Sequence, residues 1–223
     1  MNEFIFIPIG SYEQHGAHLP PDTDYLIANK IVEKIALFFN GKTIEGIKIG
    51  ISPEHKGFKN TKTISKEKFI EIIEDIISKY QDDTKFFLIN AHGGNKNALK
   101  SLKYMEDKNI LALNTFSLIK KDLEGLRSSD IGGICHAGEF ETSIMLYLYP
   151  KMVKMNRIKK NDVKYVPFLD PNYKKERPRE WKTMDFNKKG ILGDPFHANS
   201  KKGELWFNTL IVKIKSLIKQ YIN

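Results

Sequence analysis

The stretch Phe4-Ile5-Phe6-Ile7-Pro8-Ile9-Gly10-Ser11-Tyr12-Glu13-Gln14-His15 decides how the chain is read. A short apolar run of strand type passes directly into a Gly-Ser turn and then delivers a carboxylate and an imidazole. The pattern recurs at Lys85-Phe86-Phe87-Leu88-Ile89, which runs into Asn90-Ala91-His92-Gly93-Gly94-Asn95. Open α/β sheets place their ligands just past the C-terminal ends of strands, where both blocks fall.

Working outward, residues 24–39 carry Leu26, Ile27, Ile31, Ile35 and Phe38 at helical spacing, with Asp22 or Thr23 as cap. Ile44 to Ile51 alternates as a strand. Residues 66–80 repeat Phe69, Ile72, Ile73, Ile76 and Ile77 behind a Ser65 N-cap, which predicts a second amphipathic helix. A helix over about 96–107 and a strand at 110–113 follow. A third block, His136-Ala137-Gly138-Glu139-Phe140-Glu141-Thr142-Ser143, opens an apolar helix to about Leu148. Residues 150–200 read as an elaborated loop region on the same domain, and 202–221 as a final amphipathic helix. Strand and helix alternate, so the fold class is α/β, with a mostly parallel sheet covered by helices on both faces.

Composition narrows the function. The chain has 223 residues, 41% of them hydrophobic, enough for one domain over 1–223 with a sizeable core. No apolar run approaches the ~18–20 residues that span a bilayer. The start lacks a signal-peptide pattern and Cys135 is the single cysteine, so a reducing, cytoplasmic setting is expected. The formal charge of +9 comes mostly from dispersed lysines. It reads as a solvated surface or as a match to an anionic substrate, and no nucleic-acid or membrane partner is expected.

The chemistry sits in the three blocks, which hold four of the six histidines. Glu13 and His15, two apart on an extended segment, point to one side. Asp24 can return to the same place through the loop containing Pro20 and Pro21. A carboxylate with two oxygens can bridge two ions about 3.5 Å apart, and imidazole with carboxylate suits Zn, Mn or Fe. His92 supplies another nitrogen. Glu139 and Glu141 are the candidates for a fifth ligand. Competing readings are weaker. His-Gly-Gly-Asn lacks the Lys-Ser/Thr of a phosphate loop, and no Gly-x-Ser-x-Gly elbow supports Ser11 as a nucleophile. Cys135 and His136, adjacent in sequence, do not naturally face each other.

Taken together, the blocks resemble the creatininase (creatinine amidohydrolase) family. Its pattern is Gly-Ser-x-Glu-Gln-His-Gly-x-His-Leu-Pro followed by Asp, then His-Gly-Gly-Asn, then His-Ala-Gly-x-x-Glu-Thr-Ser. Ser52-Pro53-Glu54-His55 with Thr63-Ile64-Ser65, and Gly193-Asp194-Pro195 with Lys202-Gly203, are similar to further family segments. The resemblance implies a three-layer α/β/α fold, two divalent ions, hydrolysis of C–N bonds in linear or cyclic amides, and a homo-oligomer. It makes Glu13, His15, Asp24 and His92 metal ligands, with Asp24 as the bridge, and His136 the catalytic histidine. Creatininase has a glutamate ligand where this chain has Gly94, and none at the position of Glu139, which suggests Glu139 as the replacement ligand and leaves Glu141 to handle protons. Phe58-Lys59-Asn60-Thr61 departs from the family's Phe-Pro-Gly-Thr. No tryptophan lies between Ser117 and His136, so creatinine is not the expected substrate; Trp181 and Trp206 come later.

The expectation is a two-metal amidohydrolase that cleaves a C–N bond of a small molecule by attack of a metal-bound water. A formamidopyrimidine nucleotide deformylase of flavin or deazaflavin synthesis and a mycofactocin-type peptidase are the alternatives within the family. A catalytically silent module that binds nucleotides or nucleic acid is the alternative from another class; it has no reason to gather Glu13, His15, Asp24 and His92.

Overall fold

The structure is a computed structural model that describes residues 3–102, 109–176, 178 and 180–223. Its sheet, among the described residues, has four strands: β1 (Phe4–Ile9), β2 (Lys42–Thr43), β3 (Lys85–Asn90) and β4 (Ile110–Asn114). All pairings are parallel and the order is β2-β1-β3-β4. The helices are α1 (Thr23–Phe39), α2 (Lys66–Ile77), α3 (Lys96–Ser101), α4 (Thr115–Leu126), α5 (Glu139–Leu148), α6 (Thr183–Phe186) and α7 (Ser200–Ile222).

Two separate cores make the fold three-layered. Phe6, Phe87, Ile89 and Leu113 pack on one face with residues of α1, α4, α5 and α7. Ile5, Ile7, Ile9, Phe86 and Leu88 pack on the other with α2 and α3. Successive side chains of a strand point to opposite faces, so a strand buried on both sides must be apolar at every position. That is why β1 and β3 appear in the sequence as unbroken apolar runs.

The expected strand from Ile44 to Ile51 is corrected. Only Lys42–Thr43 forms a strand, and Ile47 makes an isolated bridge to Ile9. Pro8 accounts for the break. Its carbonyl accepts from the Ile47 N–H at 3.0 Å, but proline has no N–H to return to that neighbour. Helix α4 is an element that the sequence reading passed over. Asn114 caps it by accepting from the Ser117 N–H, and Ile119 and Leu123 are its buried stripe. The expected helix over 96–107 is present to Ser101; its 103–107 portion lies outside the described residues. Among the described residues, no helix is long and apolar enough to cross a membrane.

The strand order also places the site. The chain leaves β1 toward β2 on one side and leaves β3 toward β4 on the other. The crevice between the C-terminal ends of β1 and β3 is therefore the topological switch point, the ligand position of such sheets. Two buried asparagines hold it together. Asn95 Nδ2 donates to Gly10 O at 2.9 Å and to Asn90 Oδ1 at 3.0 Å, while its Oδ1 accepts from Ile51 N–H at 2.9 Å. Asn90 spans His92 through both its backbone groups. Asn95→Ala strands a carbonyl and an N–H in this crevice. Each buried orphan costs about 1–3 kcal/mol, so urea unfolding of the variant is expected to report a loss of at least that size.

Candidate metal centre

Each block is bent toward the switch point by local hydrogen bonds. Lys62 N–H donates to Tyr12 O at 2.8 Å and Gln14 N–H to Thr61 Oγ1 at 3.0 Å, which keeps residues 12–14 extended beyond β1. Glu13 N–H donates to Pro21 O at 3.0 Å and folds the proline loop back. Asp24, in the first turn of α1, thereby returns to the carboxylate of Glu13. His92 follows β3, and His136 and Glu141 come from the approach to α5 and its first turn.

Two imidazoles have their tautomers fixed by backbone carbonyls, which can only accept. His15 Nδ1–H donates to Glu13 O at 3.0 Å, leaving Nε2 bare, 3.3 Å from Asp24 Oδ1 and 3.6 Å from Glu141 Oε2. His92 Nε2–H donates to Ile51 O at 2.9 Å, leaving Nδ1 bare, 3.1 Å from Asp24 Oδ2 and 3.4 Å from Glu13 Oε2. Asp24 thus presents one oxygen to each ring. Glu13 Oε2, His15 Nε2 and Asp24 Oδ2 are buried without a hydrogen-bond partner among the described residues. Lone pairs facing lone pairs in a buried site are stable only with a cation or protons between them. The donor set of carboxylate oxygens and imidazole nitrogens, with the Glu13 and Ile51 carbonyls orienting the rings, fits divalent metal.

Titration follows from the same crowding. Burial pushes the Glu13 carboxyl up to about 8. Burial pulls the His15 and His92 imidazoles down, but the carboxylates around them win and raise both to about 10. Burial also opposes ionisation of Asp24, yet His15 and His92 hold it well below the usual carboxylate range. Without metal, the cluster therefore stores protons at neutral pH, and ligands must shed them to bind an ion. Zinc titrated into chelator-treated protein at pH 7 is expected to release more than one proton per chain, and apparent affinity is expected to fall as pH falls. Calorimetry in two buffers of different ionisation enthalpy measures this; proton-neutral binding would contradict it.

Of the two glutamates of the third block, the structure brings in the one not expected as a ligand. Glu139 is buried but turned away. Its carboxylate accepts from Ser128 N–H (2.9 Å), Ser129 N–H (2.9 Å) and Ser129 Oγ (2.6 Å), and pairs with Lys202 of α7. Glu141 instead reaches back to the Ala137 N–H at 2.6 Å and so faces His15. The 128–129 turn and α7 claim Glu139, the glutamate expected as fifth ligand, and turn its carboxylate from the cluster; Glu141, expected to handle protons, is the one that stands beside His15. His15, His136 and Glu141, and separately Glu13, His15 and Asp24, have ligand atoms close enough to share an ion. Glu139→Gln is expected to cost about 1.5–3 kcal/mol of stability and leave metal content unchanged, whereas Glu141→Gln is expected to lose metal. Elemental analysis with thermal unfolding separates the two.

Comparison with known proteins gives the same direction. The creatininase family profile, described as creatinine amidohydrolase, matches residues 1–218. The chain belongs to the creatininase family. With it, the chain joins the hydrolases that act on C–N bonds. The mycofactocin precursor peptide peptidase of Mycobacterium ulcerans is 28% identical over 97% of this chain and 85% of that protein. The 2-amino-5-formylamino-6-ribosylaminopyrimidin-4(3H)-one 5'-monophosphate deformylase of Methanococcus voltae is 32% identical over 57% of this chain and 49% of that protein. A solved structure described as "Creatininase Mn" superposes with a TM-score of 0.78, at 24% identity, over 98% of this chain and 91% of that one.

Within this creatininase fold, Gly94 has a steric reason. A Cβ there would stand 2.0 Å from Ile51 O and 2.6 Å from His92 Nε2, the two atoms of the bond that orients His92. No side chain fits at position 94 beside that bond. The sequence reading also left out His55, whose Nε2 lies 3.3 Å from Glu13 Oε1. Its signal was the Ser52-Pro53-Glu54-His55 segment, noted only as a family likeness. Of the two tryptophans, Trp206 is in the core, while Trp181 stands edge-on to His55 at 6.2 Å.

Proposed function

We propose that the chain, acting as one catalytic unit over 1–223, is a two-metal amidohydrolase of small molecules. Asp24, His15, Glu141, His92 and Glu13 would hold the ions, Asp24 presenting one oxygen on the side of His15 and Glu141 and the other on the side of His92 and Glu13. The observation that supports this most directly is Asp24 itself, with one oxygen toward each bare imidazole nitrogen. Zn, Mn or Fe there would supply water activation at neutral pH and polarisation of a carbonyl.

The remaining chemistry belongs to the chain's own side chains. Glu13, His15 and Asp24 are at most 2% exposed, whereas His136 and Glu141 are 11% and 18% exposed. The substrate therefore approaches past His136 and Glu141. His136 Nε2–H donates to Gln14 O at 2.8 Å, which leaves Nδ1 unprotonated. Burial and the neighbouring imidazoles hold His136 well below its ordinary pKa, so the ring rests neutral with Nδ1 open and readily gives up a proton once it has taken one. It accepts a proton from the attacking water and returns it to the leaving nitrogen, with Glu141 beside it in the same donor group.

Two features favour an anionic substrate such as a formamidopyrimidine nucleotide. The net charge is +9, and the relative from Methanococcus voltae acts on a 5'-monophosphate. The test is a hydrolysis screen of zinc-, manganese- and iron-loaded protein against formamidopyrimidine nucleotides, creatinine and short peptides. Formate release from the nucleotide is expected. Cleavage of peptides alone would overturn the small-molecule reading, and metal-loaded protein inert on all three would favour the silent binding module. His136→Ala is expected to keep its metal and lose about 10²–10⁴ in rate. Loss of metal in that variant would make His136 a ligand.

A further inference from the structure

Gln14 lies between Glu13 and His15 and is buried, yet it has no part in the chemistry described above. Its amide orientation is fixed at both ends. Oε1 accepts from the Gly16 N–H at 3.1 Å, and Nε2 donates to Gly190 O at 3.0 Å. Gly190 has φ +80°, and a Cβ there would come within 1.6 Å of Gln14 Oε1, so only glycine lets the 187–191 loop close on this amide.

One N–H of Gln14 remains. It stands 3.0 Å from His55 Nδ1 and 3.0 Å from His136 Nε2. His136 Nε2 already carries a proton, because it lies 2.8 Å from the Gln14 carbonyl, which can only accept. The remaining N–H therefore goes to His55 Nδ1. Thr183 Oγ1, 2.9 Å from the same nitrogen, can donate as well. With Nδ1 accepting, a neutral His55 carries its proton on Nε2, which faces Glu13 Oε1 at 3.3 Å.

We propose that Gln14 is a positioning residue that sets the tautomer of His55, making His55 a hydrogen-bond donor to Glu13 and keeping it out of the metal-ligand set. Glu13, His55 and His136 lie close enough to hold an ion on distance alone. The proton on His55 Nε2 removes that possibility and holds Glu13 Oε1. Oε2, which has no hydrogen-bond partner among the described residues, is then left toward His92 and would be open to an ion. The tautomer holds whether or not ions bind; only its consequence for Glu13 depends on the two-ion reading.

The test is long-range ¹H–¹⁵N correlation of the full chain labelled at histidine nitrogens, zinc-loaded and chelator-treated. The expected result is a His55 ring protonated at Nε2, with Nδ1 in the acceptor range, in both preparations. In Gln14→Glu, a carboxylate replaces the donor, and His55 Nδ1 is expected to shift into the protonated range. Thr183→Val is expected to leave the wild-type pattern. A proton on Nδ1 in the wild type, an unshifted Nδ1 in Gln14→Glu, or a moved proton in Thr183→Val would each overturn the proposal. If Gln14→Glu does not fold, the wild type and Thr183→Val decide it. Protein with the expected tautomer that takes up no zinc would retain Gln14's role and defeat the two-ion reading.

Discussion

Three carboxyl groups, the buried Glu13 and Asp24 and the partly buried Glu141, face Nε2 of His15 and Nδ1 of His92. That arrangement is the constraint to which the rest of the structure answers. Isolated charges of this kind cost several kcal/mol each to bury, and removing one partner leaves the others uncompensated. The chain tolerates the cluster because every ring is turned by a second hydrogen bond. His15 is held by Glu13 O, His92 by Ile51 O and His136 by Gln14 O. Each of these is a backbone carbonyl, a rigid acceptor that fixes a ring without adding another titrating group to the site.

The fold supplies that rigidity from the sheet outward. β1 and β3 pair side by side from Phe4 with Lys85 to Ile9 with Asn90, so their C-terminal ends finish level. Asn90 and Asn95 tie the two loops and residue 51 into one frame. Glu139, with Ser128, Ser129 and Lys202, anchors the start of α5 to α7. Glu141 is thereby held one half-turn further on. The two glutamates divide the work: one positions the helix, the other faces His15.

Much of this was legible in the sequence, for physical reasons. Strands buried on both faces have nowhere to put a polar residue, so β1 and β3 were plain. Glu13, His15, Asp24 and His92 could be grouped because each sits within a few residues of a strand end or a loop that must return. β2 was misjudged because Pro8, on the neighbouring strand, breaks its ladder. The choice between Glu139 and Glu141 could not be read locally. It depends on Lys202, 63 residues away, and on a turn at Ser128 that no periodicity announces. His55, Thr183 and Gly190 reach the site from separate loops, and Gln14 was visible only as one letter of a motif.

The central claim is that Asp24 stands between two cations. Anomalous diffraction from crystals of zinc-loaded protein, recorded on both sides of the zinc edge, tests it most directly. The account predicts two anomalous peaks, one on each side of the Asp24 carboxylate, one beside His15 and Glu141 and the other beside His92 and Glu13. A single peak, or density centred on Glu139, would contradict it.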